Sequence, residues 1–321
     1  MTHGFWDALP KPFFVLAPMA DVTDAPFRAI VTRCGRPDVF YTEFVSAHGL
    51  ASAGRDRLLL DLAITKSDHP IVAQFFGTLP EHMEAAGRLA RELGFDGVDI
   101  NMGCPDRSIM KQGAGASLIR SPALARELVA AVRQGAGGLP VAVKTRLGLS
   151  ATQEMDSWIP GLLEARPDVL IVHGRTVAEM SAVPAHWDCI ARAATMAHER
   201  GTLCVGNGDV DSRAHGIRLA GAAGADGVMV GRGIFHDPWL FSATRAGQPA
   251  SPRERVEILL RHTDAWTAHW HGIKSFDLMK KFFKAYVSGW AGAVRLRSRL
   301  MEARDAASVH AIIADSGIME T

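Results

Sequence analysis

The chain reads as an α/β protein: a TIM-type (β/α)8 barrel followed by a small all-helical domain. Three observations point there. Eight short, β-branched apolar runs recur through the first 244 residues with helical periodicity between them, the alternation of a parallel sheet. No Gly-x-Gly-x-x-Gly stands between an early strand and its helix, the stretch Gly113-Ala-Gly-Ala-Ser117 lacking the last glycine, which disfavours a doubly wound open sheet. From about Ala246 the strand pattern stops. A length of 321 residues with 48% hydrophobic and 21% charged content fits one globular barrel of about 250 residues and a smaller second domain.

The eight runs fall at 15–19, 38–44, 71–76, 97–102, 141–146, 169–174, 202–207 and 227–232. Between them Ala86, Leu89, Ala90 and Leu93 share one helical face, and Ser121-Pro122 opens a helix as an N-cap followed by proline at the first position. Gly247, Pro249, Ser251 and Pro252 form a linker, dividing the chain into 1–245 and 246–321. Beyond it Val256, Leu259, Leu260 and Thr263 return at helical spacing.

Several classes are disfavoured at once. Cys34, Cys104, Cys189 and Cys204 are far apart, with no paired ligand spacing, so a reducing compartment is expected and a metal site is not. No basic leader opens the chain and no run nears about 20 apolar residues, so the cytoplasm is expected and a membrane is not. The net charge of +1 is unevenly spread: 23 Lys/Arg against 26 Asp/Glu up to residue 244, then 12 against 8. The tail therefore carries the positive field.

Reactive and polar residues stand at the C-terminal ends of the expected strands, the rim where barrel active sites form. These are Gln74, Asn101 with Cys104, Lys144 with Arg146, His173 with Arg175, Asn207 with Asp209, and Gly231 with Arg232. The glycines of 206–209 and 231–233 follow the seventh and eighth runs, where glycine lets backbone N–H groups approach a phosphate and Arg232 adds charge. Cys104, on a loop bounded by Gly103 and Pro105, suits an acid/base or nucleophile role; a free thiol near pKa ~8.5 mostly keeps its proton at neutral pH. Lys144 and His173 suit an electron-rich ring that gains charge on reduction, and either could instead bind substrate. Between Lys274 and Arg304 of the tail, Lys274, Lys280, Lys281, Lys284, Arg295, Arg297, Arg299 and Arg304 stand against only Asp277 and Glu302, a phosphate-binding face. The interleaved Phe276, Phe282, Phe283, Tyr286 and Trp290 read as packing, and His269-Trp-His271 as a solvated helix end.

Taken in order, these segments resemble the tRNA-dihydrouridine synthase family: Ala17-Pro-Met-Ala-Asp-Val-Thr-Asp-Ala-Pro-Phe-Arg28, Asp99-Ile-Asn-Met-Gly-Cys-Pro105, Lys111-Gln-Gly-Ala-Gly-Ala-Ser-Leu118, Val143-Lys-Thr-Arg-Leu-Gly148, His173-Gly-Arg-Thr176, Gly206-Asn-Gly-Asp209 and Gly231-Arg232. The resemblance implies FMN along Pro18, Met19 and Ala20, with Gln74, Lys144 and His173 at its polar edge. Asn207, Gly208, Asp209, Gly231 and Arg232 would take its phosphate. It further implies NADPH as reductant, Cys104 as proton donor to the uracil ring, and Asn101, Arg146 and Arg175 as substrate contacts. Lys280, Lys281, Lys284, Arg295, Arg297 and Arg299 would bind tRNA, and the enzyme would act as a monomer. The chain departs from the family after Thr176: Ser181 stands where a tyrosine is usual and His186 precedes Trp187, so substrate gripping on that loop should differ. A flavin oxidoreductase of free pyrimidines or dihydroorotate would share the barrel without needing the basic tail; a flavin-containing RNA-binding protein without turnover would share both.

Overall fold

A computed structural model describes residues 2–245 and 248–320. Of the expected linker Gly247 lies outside the described residues, as does Ala246, the first residue after the expected domain division. Eight parallel strands form one sheet in the order β1-β8-β7-β6-β5-β4-β3-β2: β1 Phe13–Leu16, β2 Phe40–Ser46, β3 Ile71–Phe76, β4 Gly97–Met102, β5 Val141–Arg146, β6 Val169–His173, β7 Leu203–Asn207 and β8 Gly227–Val230. A Val15–Val39 bridge and the Leu16 N–H donating to the Val39 carbonyl at 3.1 Å bring the two ends together, closing a barrel.

Three of the expected runs match their strands end to end; the others differ for local reasons. Pro18 has no N–H to offer a ladder, so β1 ends at Leu16 and begins earlier, on the buried Phe13 and Phe14. At the eighth run, Arg232 leaves the strand to open the short 3-10 turn Arg232–Phe235. The helix Pro80–Glu92 buries Met83, Ala86, Leu89 and Ala90, but Leu93 is its C-cap and is exposed. Ser121 does precede the helix Pro122–Ala136, with proline at its start, but its hydroxyl caps nothing.

Alternation along the strands fills the barrel. Phe13, Val15, Ala17, Val39, Tyr41, Val72, Ala142, Val169, Ile171, Leu203, Val205 and Met229 form one buried cluster, with Trp6 from the turn Gly4–Ala8. Each large apolar side chain among them contributes about 1.5–3 kcal/mol by leaving water. Register carries the same parity upward: Gln74 pairs with Asp99, Asp99 with Ala142, and Asn101 with Lys144. Arg146 pairs with His173 and His173 with Asn207. The inward series therefore runs from apolar at the base to polar at the C-terminal rim.

By compactness, 25–36, 211–213 and the residues from 232 onward form a second unit. Within it the helix Pro252–Trp270 starts on a Ser251/Glu254 capping box. Its buried face includes Val256, Leu259, His262 and Thr263. Phe27, His262, Phe282 and Tyr286 pack as an aromatic cluster, in which the Tyr286 hydroxyl meets His262 Nδ1 at 2.9 Å. Burial pushes His262 down to about 3, so this is a neutral core histidine.

Candidate active site

At the β3–β4 side of the rim, side-chain amides are linked in series. Gln74 Nε2 donates to Asp99 Oδ2 at 2.6 Å, Asn101 Nδ2 donates to Gln74 Oε1 at 3.0 Å, and Asn101 Oδ1 accepts from Gly103 N at 3.1 Å and Cys104 N at 2.9 Å. Gln74 and Asp99 are fully buried and Asn101 nearly so. The Cys104 loop is also held from outside. The Ala116 N–H donates to the Cys104 carbonyl at 3.0 Å, and a Cβ on Gly115, at φ +61°, would lie 2.8 Å from that carbonyl, so only glycine allows this close approach. The Gly113-Ala-Gly segment, incomplete as a dinucleotide motif, thus shapes the cysteine loop.

Cys104 is half-buried, whereas Cys34, Cys189 and Cys204 are buried. Burial raises the Cys104 thiol above its ordinary value, partly offset by a backbone bond to Asp106, which keeps the proton on sulfur at neutral pH. Lys144 is half-buried beside it. Burial and the Arg146 charge lower its amine to about 8, against the attraction of Asp99. Among the described residues no hydrogen bond or ion pair is made by its amine, so a cationic group faces the mouth with its donors uncommitted.

The β6–β7 side is built from charge pairs. Arg175 Nη2 donates to both oxygens of Asp209 at 2.7 and 2.6 Å, its Nε donates to the Val183 carbonyl at 2.6 Å, and Nη1 lies 3.4 Å from His173 Nε2. Asp209 accepts in addition from the Ala185 N–H at 2.8 Å. Its carboxylate is therefore occupied within the protein. What this residue can offer a phosphate is its backbone N–H, at φ +54°. Gly208, at φ +135°, sits where a Cβ would meet Ala185 Cβ at 2.6 Å. Asn207 Nδ2 donates to the Met229 carbonyl at 2.8 Å, joining β7 to β8. At Gly231 a Cβ would come to within 3.7 Å of Ala17 and 3.8 Å of Met19, and Arg232 follows directly in the chain.

Met19 belongs to a tight turn in which its N–H donates to Thr23 Oγ1 at 3.0 Å. The buried Glu43 fastens that turn by accepting from Asp21 N at 2.6 Å; Pro18 and Met19 are half-buried and Ala20 exposed.

Two of the expected substrate contacts are engaged in bracing. Arg146 is buried, with Nε donating to the Gly103 carbonyl at 2.9 Å and Nη1 to the Thr176 carbonyl at 3.0 Å. It thereby joins the cysteine loop to the loop after β6. Arg175 is likewise buried. In the divergent 177–187 segment, Glu179 accepts from Thr176 N at 2.7 Å and pairs with His186 Nε2 at 2.8 Å, a local clasp. Sequence reasoning missed Asp99, whose carboxyl burial pushes up to about 7. Continuing the inward alternation of 97–102 by hand would have found it.

In the tail Lys281, Lys284 and Arg295 are exposed. Lys280 pairs with Asp277 at 2.7 Å, Arg297 donates to the Val287 carbonyl at 2.8 Å, and Arg299 pairs with Asp315 at 2.6 Å. Phe282, Phe283 and Tyr286 are core; half-buried Trp290 lines a cavity of about 390 Å³ with Arg295 and Arg299. The His269-Trp-His271 stretch does end a helix, but Trp270 is buried and carries Lys274 Nζ 3.9 Å from its ring centre. Among the described residues no group of three potential ligands could hold a metal, and no helix is long and apolar enough to cross a membrane.

A parallel barrel with a protonated thiol, a half-buried ammonium and glycine-lined turns on its C-terminal rim defines the class, a (β/α)8 barrel with a reactive polar rim. The family model for dihydrouridine synthase (Dus) matches residues 15–317. "Probable tRNA-dihydrouridine synthase 2" of Bacillus subtilis (strain 168) is 41% identical over 319 residues, covering 98% of this chain and 97% of that protein. A "Probable tRNA-dihydrouridine synthase" of Staphylococcus aureus (strain N315) is 39% identical over 317 residues, covering 98% and 95%. The chain belongs to the dihydrouridine synthase family. Among solved structures, morphinone reductase in complex with tetrahydroNAD shares the fold at TM-score 0.53 and 14% identity, over 77% of this chain and 90% of that one. Histamine dehydrogenase from Rhizobium sp. 4-9 does so at TM-score 0.57 and 13% identity, over 78% of this chain, which spans 48% of that longer one.

Proposed function

We propose that this protein reduces the C5=C6 bond of particular uridines in tRNA to 5,6-dihydrouridine, with FMN as its bound cofactor and NADPH as reductant. The observation that carries the reading is the juxtaposition of Lys144, with its donors uncommitted, and a proton-bearing Cys104 on one barrel rim. The residues fit a phosphorylated flavin. Gly208 and Gly231 keep side-chain volume out of the space beyond β7 and β8, so backbone N–H groups of 207–209 can reach a phosphate, with Arg232 adding charge.

Bound FMN supplies hydride transfer from the nicotinamide to C6 of the uracil. The chain supplies the rest. Lys144 and His173 offer N–H donors to the electron-rich edge of the ring system, with Gln74 beside them. Pro18, Met19 and Ala20 support its face. The Cys104 Sγ–H gives its proton to C5 of the uracil. Arg146 and Arg175 hold the loops against which the base sits, and Asn101 holds the cysteine loop.

A uridine stacked in folded RNA has to be turned out before it reaches the rim, at a cost of roughly a few kcal/mol. The division 1–245 and 246–321 then separates an FMN-binding catalytic domain from a helical RNA-binding one. Lys280, Lys281, Lys284, Arg295, Arg297 and Arg299 supply the phosphate contacts that offset the cost, in a cytoplasmic monomer. Purified protein mixed with NADPH and unmodified tRNA should form dihydrouridine, detected by nuclease digestion and mass spectrometry. Turnover of free uracil or dihydroorotate instead, or a yellow protein that binds tRNA but leaves it unchanged, would show the reading to be wrong.

A further inference from the structure

Asp99 lies two residues before Asn101 on β4, facing inward and completely buried. One carboxyl oxygen accepts from Gln74. The other, like the buried Tyr41 hydroxyl, has no hydrogen-bond partner among the described residues. From this carboxyl the bonds all run one way. Asp99 Oδ2 accepts from Gln74 Nε2, so the NH₂ of Gln74 faces the carboxyl and the Gln74 oxygen faces Asn101. That oxygen draws the Asn101 NH₂, leaving the Asn101 oxygen to face the N–H groups of Gly103 and Cys104. Each amide has one donating and one accepting end, so fixing the first fixes the last. The same buried chain would fail if any member were reversed, because like groups would then face one another away from water.

We propose that Asp99 is a positioning residue for the Cys104 loop, acting through the aligned amides of Gln74 and Asn101 to present an acceptor to the Cys104 N–H. Strand pairing supports it: Gln74 stands opposite Asp99 in the β3–β4 register, so the relay crosses between strands at a fixed spacing. Its catalytic importance rests on Cys104 being the proton donor, as proposed above; the positioning itself is measured on the thiol.

The test reverses the polarity of the chain. In Asn101→Asp, one oxygen can still accept from Gly103 and Cys104, but the other faces the Gln74 oxygen. Gln74 must then turn to donate to position 101, which sets its oxygen against Asp99, and that contact is satisfied only when Asp99 holds a proton. The double variant Asp99→Asn with Asn101→Asp has the same atoms as the parent; the two side-chain bonds re-form in the opposite sense and the bonds from the loop keep theirs. The amide now at position 99 donates to Gln74, Gln74 donates to the carboxylate now at position 101, and that carboxylate accepts from the loop.

The readout is the rate at which iodoacetamide alkylates Cys104 in the full-length flavin-bound protein, by mass spectrometry, across pH. Asn101→Asp should shift that rate by about tenfold or more, and the double variant should return to within about threefold of the parent. An unchanged rate in the single variant, or a double variant no closer to the parent than the single, overturns the proposal. If the single variant does not fold, folding of the double is the expected rescue, and failure of both overturns the proposal as well. Absence of dihydrouridine formation by the parent protein would fault the functional reading alone, since the thiol rates still decide the positioning.

Discussion

The two sides of the barrel rim are held by different chemistry. Around β3 and β4 the parts are buried amides in series with one buried carboxyl, ending at the Cys104 loop. Around β6 and β7 they are the ion pair of Arg175 with Asp209, in which Asp209 is 41% exposed, and the hydrogen bond between His186 and Glu179. A buried amide chain has directional hydrogen bonds and little net charge to lose to salt, so it sets atomic positions. Charge pairs near water tolerate movement and are screened by salt. The side that places Cys104 is thus the rigid one, and the side beside the 206–209 turn and the divergent 177–187 loop is the adaptable one.

The widest gap between the two sides should appear in catalysis. Cys104→Ala removes the proposed proton donor and is expected to slow dihydrouridine formation by about 10²–10⁴-fold while FMN affinity stays as in the parent, measured by single-turnover assay and flavin titration. Equal loss of both would mean that the cysteine loop and the flavin site are not separable.

Arg175→Leu acts on the opposite side. It strips Asp209 and the Val183 carbonyl of their donor and should cost about 2 kcal/mol in urea unfolding. That is less than the about 3–5 kcal/mol of a wholly buried pair, because Asp209 reaches water. FMN affinity should fall with it.

Lys284→Glu with Arg295→Glu should raise KM for tRNA several-fold and leave NADPH oxidation by the flavin untouched. The slope of log affinity against log salt should flatten by about one for each phosphate left unbound.

The smallest effect is in pH. Lys144, at about 8, is cationic below that value and neutral above it. Activity that needs its charge should therefore be full at neutral pH and decline as pH rises through about 8. The Cys104 thiol, raised by burial, keeps its proton through the ordinary thiol range. Lys144→Arg should carry the decline to higher pH in a kcat profile.

Much of this is legible in the sequence because it is local. The runs 71–76, 97–102 and 141–146 announce themselves by β-branched content, and Gln74, Asn101, Lys144, His173 and Asn207 by falling at strand ends. What escapes depends on partners distant in the chain. Arg146 reads as a substrate-facing cation until its carbonyl partners at Gly103 and Thr176 are known, and Arg175 until Asp209 is seen 34 residues away. The helix Ala25–Gly35 gives no local sign that it belongs with the tail helices rather than the barrel. The first apolar run overshoots β1 because Pro18 extends a hydrophobic pattern that cannot extend a ladder. Asp99 is hidden in plain view, an acidic residue inside a strand whose partner can be inferred only from register.

The central claim, that loops crowning this barrel hold a phosphorylated flavin, is most directly tested by titrating flavin-free protein with FMN and following the visible absorption. The parent should bind FMN stoichiometrically, and Gly208→Val, whose new side chain would meet Ala185 at a backbone angle suited to glycine, should bind at least about tenfold more weakly. A parent protein that takes up no FMN, or a valine variant that binds it as tightly as the parent, would contradict the account.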